Sequence, residues 1–592
     1  MFLRSHRRSR DGKQHSYWSL VETMRTPDGP RQRRLCYLGE LNDSGQARWL
    51  KTIEVFNEQG ESTQLKLFPS EVEPPADDPD VAQVLLQKVR LERTRQLGPC
   101  YLGWELWRRL KLEAFFQASL DTEGADVPWS RVAAILAINR LCAPGSELAI
   151  EQRWYPATAL GDVLNIEEGK INDTRLYRCL DRILPQKTKL EQHLKQRYGE
   201  LFGAEFDVLL YDLTSTYVEG DAGANPMMRR GYSRDHRPDC LQLVLALIVN
   251  PEGFPCSYEV FNGNRADVTT LEVILRMVER KYGKARRIWV MDRGIVSEAN
   301  LAAVRKRDGQ YLVGTPRSKM KEFEPHLKEE AHWEQVRDEV QVKLISTPGG
   351  QETFILCKTE GRQKKEQAIR NRFASRIETA LDNLQKQVQA GRLKNRDKIH
   401  VRIGRILASH PHVADLYAVE VQEESGQLSV EWSAKPGQQQ WREAREGAYL
   451  LRTNLTAATA SELWGKYMQL TEVEAAFRTL KSELSIRPLF HQLERRVKAH
   501  VMIAFLGYAL WVTLKHLLQG KQSEWSASRA LAELATLQSA DIVLPTTDGR
   551  EIRLRRITEP TVEQQKLLHQ LAIELPSQLQ INHQCSADFA VA

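Results

Sequence analysis

The sequence predicts a multidomain α/β protein, in which a mixed core of strands and helices is interrupted by an insertion and preceded by a β-rich segment and a helical domain. Three observations predict this: strand-like runs at the start of the chain, amphipathic patterns further on, and an alternation of strands and helices after residue 205. A chain of 592 residues is long enough for several domains of roughly 100–200 residues. We place the segments at 1–82, 83–202, 203–318 (first part of the core), 319–445 (insertion), 446–520 (second part of the core) and 521–592 (C-terminal tail).

The composition favours a soluble, cytoplasmic protein with no membrane span. Hydrophobic residues make up 42% of the chain, and the formal net charge of +7 is modest for this length. The eight cysteines are scattered without a CxxC pair, which argues against a zinc ribbon or disulfide framework and fits reduced thiols. The start, MFLRSHRRSR, lacks the apolar stretch of a secretory signal. The apolar run VMIAFLGYALWVTL is shorter than the roughly 20 residues of a membrane span, so we predict a buried core helix.

The first 70 residues are predicted to be rich in β-strands. The runs YWSLVETM and RRLCYLGEL flank Pro27-Asp28-Gly29, a turn signal that predicts a hairpin. The basic residues around it suit either contact with phosphates or an ordinary solvated surface. Residues 71–82 are acidic and rich in proline, which predicts a linker.

Residues 83–202 have a helical pattern. VAQVLLQKVRLERTRQ and YLGWELWRRLKLEAFF are amphipathic, and SRVAAILAINRLCAPG ends in a Pro-Gly stop signal. Short helices joined by tight turns are compatible with a helix-turn-helix that enters a DNA groove, and equally with a helical bundle of no such purpose. This segment is therefore a possible DNA-binding domain.

Two aspartates follow buried strands of the predicted core. The apolar run of EFDVLLYDLTSTYVEG ends in Asp212, and that of RRIWVMDRGI ends in Asp292. A carboxylate at the end of a buried strand often marks a functional site, although a single carboxylate there is equally compatible with a strand-end cap. Two neighbouring carboxylates repel each other unless a cation lies between them. Because no His or Cys set accompanies them, oxygen ligands predict Mg²⁺ or Mn²⁺, with two ions as in phosphoryl transfer.

A third carboxylate is supplied by the helix predicted for WGKYMQLTEVEAAFRTLK. Val473 and Phe477 belong to its apolar face, whereas Tyr467, Glu474 and Lys481 recur every seven residues and line another side. Taken alone, that stripe is also what a solvated helix face looks like. The insertion at 319–445, with strands and long basic helices, explains why Glu474 lies so far along the chain from Asp292, and YLLRTNL predicts the strand that returns to the core.

The motifs YDLTSTY and VMDRG, with Tyr467-x2-Leu470-x3-Glu474-x6-Lys481, resemble insertion-sequence transposases of the DDE class with a ribonuclease-H-like core. More narrowly, they resemble the branch that has a β-rich insertion before the catalytic glutamate and a Tyr-Arg-Glu-Lys signature. Leu470 stands at the arginine position of that signature. Arg478, one helical turn past Glu474, is the candidate replacement.

The resemblance implies a role for each matching residue. Asp212, Asp292 and Glu474 would be the metal-binding catalytic triad, and Tyr467 and Lys481 would contact phosphates near the cut end. The implied reaction is metal-assisted cleavage at the element ends followed by attack of a 3′-hydroxyl on target DNA. Its partners would be double-stranded terminal-repeat and target DNA, bound by a homodimer.

Further basic residues are candidates for DNA contact. Arg293, directly after the second aspartate, suits either DNA or a salt bridge within the core. A basic cluster after the helix suits either the DNA backbone or a solvated face, with Pro488 predicted to begin a new helix; its members include Arg487, Arg495, Arg496 and Lys498.

Two other functions share these features. One is a ribonuclease-H-like nuclease that cuts nucleic acid without joining it. The other is a DNA-binding protein whose catalytic core is an inactive relict. The presence of all three carboxylates favours the active transposase. In the insertion, Trp432 and Trp441 suit either stacking on an unpaired base or core packing.

Overall fold

The computed structural model describes residues 2–10, 13–26, 29–40, 52–56, 62–66, 82–122, 124–220, 222–223, 225–346, 350–424, 427–576 and 579. The strands of these residues are β1 (Phe2–Arg10), β2 (Lys13–Thr26), β3 (Gly29–Glu40), β4 (Thr52–Phe56), β5 (Ser62–Lys66), β6 (Val84–Leu85), β7 (Arg90–Gln96), β8 (Val208–Val218), β9 (Leu241–Val249), β10 (Pro255–Asn262), β11 (Ile288–Met291), β12 (Gln310–Gly314), β13 (Glu334–Arg337), β14 (Val340–Ser346), β15 (Thr353–Thr359), β16 (Tyr417–Glu424), β17 (Gln427–Ala434), β18 (Ala448–Thr453), β19 (Gln538–Pro545) and β20 (Glu551–Ile557).

The α-helices are α1 (Gly98–Arg109), α2 (Leu112–Leu120), α3 (Trp129–Cys142), α4 (Glu147–Ala149), α5 (Leu160–Val163), α6 (Asp173–Ile183), α7 (Lys187–Phe202), α8 (Leu271–Tyr282), α9 (Glu298–Arg305), α10 (Glu324–Lys328), α11 (Glu360–Gln389), α12 (Arg396–Ser409), α13 (Pro436–Arg445), α14 (Ala460–Met468), α15 (Leu470–Ser482), α16 (Glu494–Gln519), α17 (Ala527–Leu534) and α18 (Val562–Gln570).

The N-terminal segment forms the predicted β-hairpin. Strands β1, β2 and β3 make one antiparallel sheet, and Thr26 pairs with Gly29 across the predicted turn. Strands β4 and β5 pair with each other, and β6 joins β4. The predicted linker at 71–82 lies outside the described residues except for its last position.

The prediction of a helix at VAQVLLQKVRLERTRQ is wrong. This stretch forms β6, a 3₁₀ turn and β7. Strand β7 pairs antiparallel with β19, which also pairs with β20, so the C-terminal segment completes a sheet begun by residues more than 400 positions earlier. Partners that distant in sequence override local helix propensity. The helical pattern predicted for the residues that follow is confirmed, although YLGWELWRRLKLEAFF forms two helices, α1 and α2, that are separated at Leu110 and Lys111. These helices pack around α3, which is buried over most of its length.

The core is a mixed sheet in the strand order β10-β9-β8-β11-β12, extended on one side by β18-β15-β14-β13. Strand β9 is antiparallel to both β8 and β10, whereas β11 is parallel to β8 and β12 is parallel to β11. Helix α8 leads from β10 to β11, and α9 leads from β11 to β12. The predicted order of three strands, helix, strand, helix and strand is confirmed, and with it the ribonuclease-H-like core.

The chain leaves this core after β12 and returns to it with β18. Between them, β13, β14 and β15 extend the core sheet beyond β18, and the long helices α11 and α12 pack with the β16–β17 hairpin. Trp432 packs against Tyr417 in the hydrophobic cluster of this helical part, and Trp441 packs against a second cluster around Met320. Both tryptophans are thus part of the insertion's own packing.

The predicted helix over residues 464–481 is two consecutive helices. The first, α14, begins after a capping box of Thr459 and Glu462, and the second, α15, begins one residue past a turn at Gln469. Val473 and Phe477 are buried, as the periodicity predicts, and α15 packs against β8 and β9. Leu470 is 8% exposed and belongs to the core.

Helix α16 is the predicted buried apolar helix. It is long and apolar enough to cross a membrane, but 78% of its apolar stretch is buried inside the protein. The prediction that Pro488 begins a helix is wrong, since α16 begins at Glu494. The backbone of Leu489 is instead hydrogen-bonded to Tyr217 and Glu219 at the end of β8.

Candidate active site

Asp212 and Asp292 occupy equivalent positions on two adjacent parallel strands. Met291, the last residue of β11, pairs with Tyr211 of β8, and each of these residues is followed directly by one of the two aspartates. Adjacent strands lie about 4.8 Å apart, so the two backbones hold their carboxylates side by side. Strand β8 does not end at Asp212, as the sequence suggested, but continues to Val218 because it keeps pairing with β9.

The charges of two other carboxylates act on Asp212. Burial raises the pKa of Asp212 to about 7, and the negative charges of Asp292 and Glu474 add to the rise. The backbone N–H of Leu213 and the positive charge of Arg234 act in the opposite direction. Burial and the two neighbouring negative charges together outweigh these opposing effects.

Glu474 reaches this site from α15. The buried face of that helix packs on β8, and Glu474 lies on its exposed side. In the described part of residues 82–576, no three His, Cys, Asp or Glu side chains are already gathered closely enough to hold a metal ion. The charges of Asp292 and Glu474 therefore act on Asp212, but the three carboxylates do not form a ready-made set of metal ligands.

Tyr467 approaches the same edge of the sheet from α14. A Cβ atom added to Gly314, at the end of β12, would lie 2.8 Å from the Tyr467 hydroxyl oxygen and 3.3 Å from the backbone nitrogen of Arg293. Burial raises the pKa of Tyr467, with a further contribution from the charge of Asp292. The tyrosine hydroxyl therefore stays protonated and can donate a hydrogen bond.

Arg293 and Arg478 are exposed cations near the carboxylates. Among the described residues neither guanidinium forms an ion pair, so the alternative of a core salt bridge for Arg293 finds no support. Arg478 lies on the exposed side of α15, whereas Leu470 is buried below it. A cation is thus available on this helix although the signature position holds leucine.

Lys481 is held by an aspartate that the sequence did not single out. Its ammonium donates a hydrogen bond of 2.8 Å to Oδ1 of Asp235, and Arg487 forms an ion pair with the same oxygen. The Asp235 side chain is only 3% exposed, and its Oδ2 atom has no hydrogen-bond partner.

Arg234 is a second residue that sequence reasoning missed. Its backbone N–H donates to Oγ of Ser215 on β8, and its guanidinium pairs with Asp267 at 2.6 Å. Its charge also acts on Asp212. Residues 219–240 carry many charges, RGYSRDHRPD among them, and in a single sequence that pattern is typical of a solvated loop.

The predicted basic cluster is largely paired within the protein. Both Arg495 and Arg496 lie near Asp181 of α6, and the Arg496 guanidinium also lies over the ring of Tyr177. Lys498 pairs with Glu494 at 2.6 Å. Arg495 is 63% exposed and the least constrained of the four predicted residues.

The fold and this edge of the sheet define a class: an enzyme with a ribonuclease-H-like core whose candidate site combines carboxylates with tyrosine, lysine and arginine. Residues 203–510, a little more than half of the chain, match the family described as Transposase DDE domain, and the chain belongs to that family. Residues 3–60 match the IS1634 family transposase N-terminal domain. The protein is an insertion-sequence transposase.

Solved transposase structures resemble this chain only loosely. The piggyBac transposase synaptic complex with hairpin DNA is 9% identical, with 74% of this chain and 79% of that chain covered and a TM-score of 0.35. The Mos1 transposase paired-end complex with the left transposon end is 12% identical, with 32% and 59% covered and a TM-score of 0.14. No curated protein sequence matches this chain significantly.

Proposed function

We propose that this transposase binds the terminal repeats of its element and uses Asp212, Asp292 and Glu474 to cleave the DNA strand and join it to target DNA. The observation that carries the proposal is the register that sets Asp292 beside Asp212 on neighbouring parallel strands. Glu474 completes the set because its charge reaches Asp212. The three carboxylates come from β8, from the end of β11 and from α15, so only the folded chain can bring them together.

The donor set fits a hard divalent cation, which the DDE class implies in general. The candidate ligands are carboxylate oxygens, and a bound cation would offset both causes of the raised pKa of Asp212, which are its burial and the negative charges of Asp292 and Glu474. We propose two Mg²⁺ or Mn²⁺ ions held by Asp212, Asp292 and Glu474. When bound, they would supply Lewis-acid stabilisation of the charge on the reacting phosphate oxygens.

The surrounding side chains are suited to hold the DNA strand. Arg293 and Arg478 offer exposed guanidinium groups that bind phosphate through two hydrogen bonds. Tyr467 offers a protonated hydroxyl near Gly314. Lys481, fixed by Asp235, offers a point charge whose position is set before DNA arrives.

Other basic residues are proposed to bind the flanking DNA backbone, with Arg495 the most accessible of them. The remaining members of this set are Arg487, Arg496 and Lys498.

We propose double-stranded DNA as the partner and a homodimer as the DNA-bound form, since two element ends must be brought together. We also propose a cytoplasmic location.

The test uses purified full-length protein and a duplex carrying the element's terminal repeat. Mg²⁺-dependent nicking at the repeat end, followed by a joined product with target DNA, is the expected result. Asp292→Asn and Glu474→Gln should each abolish both products. The matched controls are Asp308→Asn, at an exposed position of the same core, and Glu472→Gln, which loses only an ion pair to Lys515 on α16.

The other functions give different products. Cuts without joined product would indicate a nuclease rather than a transposase. Binding without any cut in the wild-type protein would indicate a relict. Nicking that persisted in the Asp292→Asn protein would exclude the triad assignment itself.

A further inference from the structure

A cavity of about 380 Å³ lies between the insertion and the core, away from the carboxylates. Its walls come from α11, α13, the loop before β16 and the segment that follows β12. Four arginines and two glutamates contribute to its lining, so its charged side chains carry an excess of positive charge. The arginines are Arg317, Arg370, Arg442 and Arg445.

Three of the four arginines are already neutralised inside the protein. In each case a carboxylate lies within hydrogen-bonding or ion-pair distance. The pairs are Arg317 with Glu366 at 2.5 Å, Arg370 with Glu446 at 2.6 Å, and Arg442 with Asp415 at 3.2 Å.

Arg445 differs from the other three. Within the described part of the chain its guanidinium has no hydrogen bond or ion pair, and it lies 5.7 Å from the centre of the Trp441 ring. Burial lowers the pKa of Arg445, and the neighbouring charge of Arg442 lowers it further, whereas the charges of Asp415 and Glu366 act in the opposite direction. A half-buried cation beside another cation is stabilised by an anion that enters the cavity.

Two residues that line the cavity, Arg317 and Ala448, lie near the edge of the sheet that carries the two aspartates. Val313 of β12 pairs with Met291, so Gly314 lies level with Asp292, and Arg317 follows three residues later. Strand β18 runs antiparallel to β12, so its first residue, Ala448, which lines the cavity, lies at this same edge.

The distance to the aspartates follows from the sheet order. Strands β12 and β18 are two and three positions from β8, which displaces the cavity roughly 10–15 Å from Asp212 across the sheet at about 4.8 Å per strand. Ala448 lies three residues beyond Leu451, the partner of Gly314, which adds a displacement of roughly 10 Å along the strands. The combined distance of roughly 14–18 Å corresponds to about four to six nucleotides of a DNA strand at about 3.4 Å of axial rise per nucleotide.

We propose that this arginine cavity binds a backbone phosphate of the DNA strand that runs from the catalytic carboxylates, with Arg445 as its principal contact. The inference rests on the proposed function, because that function supplies a polyanion along this edge. It adds a specific phosphate-binding site, formed by the insertion and the adjoining end of the core.

The test measures binding of a fluorescent 40-base-pair duplex by full-length protein in EDTA, over a series of salt concentrations. Arg445→Gln should weaken binding about 5- to 10-fold at 100 mM salt and reduce the slope of log K against log salt by about 1. Arg445→Lys, which keeps the charge, should retain most of the slope. Arg405→Gln, an exposed position of α12 outside the cavity, should behave as wild type.

Several results would overturn the proposal. One is an Arg445→Gln protein with wild-type affinity and salt slope. Another is an Arg445→Gln protein that loses binding of inorganic phosphate while its DNA binding is unchanged, which would make the cavity a free-anion site. These measurements need no cleavage, so they remain valid if the triad assignment fails. A wild-type protein that binds no duplex would overturn both this proposal and the proposed function.

Discussion

The ammonium of Lys481 and the carboxylate of Asp235 form a hydrogen-bonded ion pair of 2.8 Å that is largely shielded from water. Burial lowers the pKa of Lys481, and Asp235 opposes that shift. The pair therefore keeps a lysine charged and oriented at the edge of the candidate site. Asp235 acts through Lys481 and Arg487, so we describe it as a positioning residue.

Replacement of Asp235 by asparagine should reduce the rate constant of strand cleavage at least 10-fold while changing the Kd for DNA much less. The substitution keeps the side-chain shape but leaves two neighbouring cations without their shared carboxylate. Single-turnover cleavage and fluorescence binding measure the two quantities separately. Asp239→Asn, in the same segment but exposed and paired with Arg237, is the control. Equal losses in both variants would contradict the positioning role.

The stability of the metal-free protein should fall between about pH 4 and pH 7 because of Asp212. Its pKa is about 7 in the folded protein and about 3.9 when unfolded, so the folded state binds the proton more tightly. That contribution is fully present below pH 4 and is lost as pH rises through 7, by up to about 4 kcal/mol. Urea unfolding in EDTA at pH 5 and pH 8 should show a smaller difference for Asp212→Asn than for wild type. An unchanged difference would argue against the raised pKa.

With metal present, the rate of nicking should rise with pH across the same pKa of Asp212. A metal ion and a proton compete for this carboxylate, so added metal should move the midpoint of the rate profile below 7. The measurement is the cleavage rate from pH 5.5 to 8.5 at two Mg²⁺ concentrations. A profile that did not respond to metal concentration would exclude Asp212 as the titrating ligand.

Gly314→Ala should lower the nicking rate several-fold without unfolding the protein. The added methyl group would meet the Tyr467 hydroxyl at 2.8 Å, closer than such contacts allow, so the tyrosine must shift. Tyr467→Phe should lower the rate by a similar factor if the hydroxyl binds phosphate. Gly404→Ala is the control, since a Cβ added there has no neighbour within 4 Å. Full activity of both Gly314→Ala and Tyr467→Phe would remove Tyr467 from the site.

The sequence predicted those parts of the fold that depend on local pattern. The aspartates after apolar runs and the apolar face of α15 could be predicted, because burial of one face gives strands and helices a characteristic period of apolar residues. Strand β7 was misassigned because its partner, β19, lies more than 400 residues away. Asp235 was invisible for a related reason, since its importance arises only when β8 and α15 bring Lys481 to it.

The buried ion pair between Glu191 of α7 and Lys281 of α8 should be essential to stability. Their side chains are 0% and 2% exposed, and Glu191 also accepts a hydrogen bond from Ser257 of β10 at 2.9 Å. Glu191→Gln would leave the Lys281 ammonium buried without a counter-charge, at a cost of about 3–5 kcal/mol in the free energy of unfolding.

The matched control for this pair is Glu563→Gln, which removes an exposed partner of Lys566 and should cost less than about 1 kcal/mol. The double variant Glu191→Leu with Lys281→Met should recover much of the loss, because apolar replacement of both partners removes the buried charges together. Urea unfolding measures all three variants. If Glu191→Gln were no more destabilising than Glu563→Gln, then Lys281 must lose its proton or reach water, and the pair would not join α7 to the core as an ion pair.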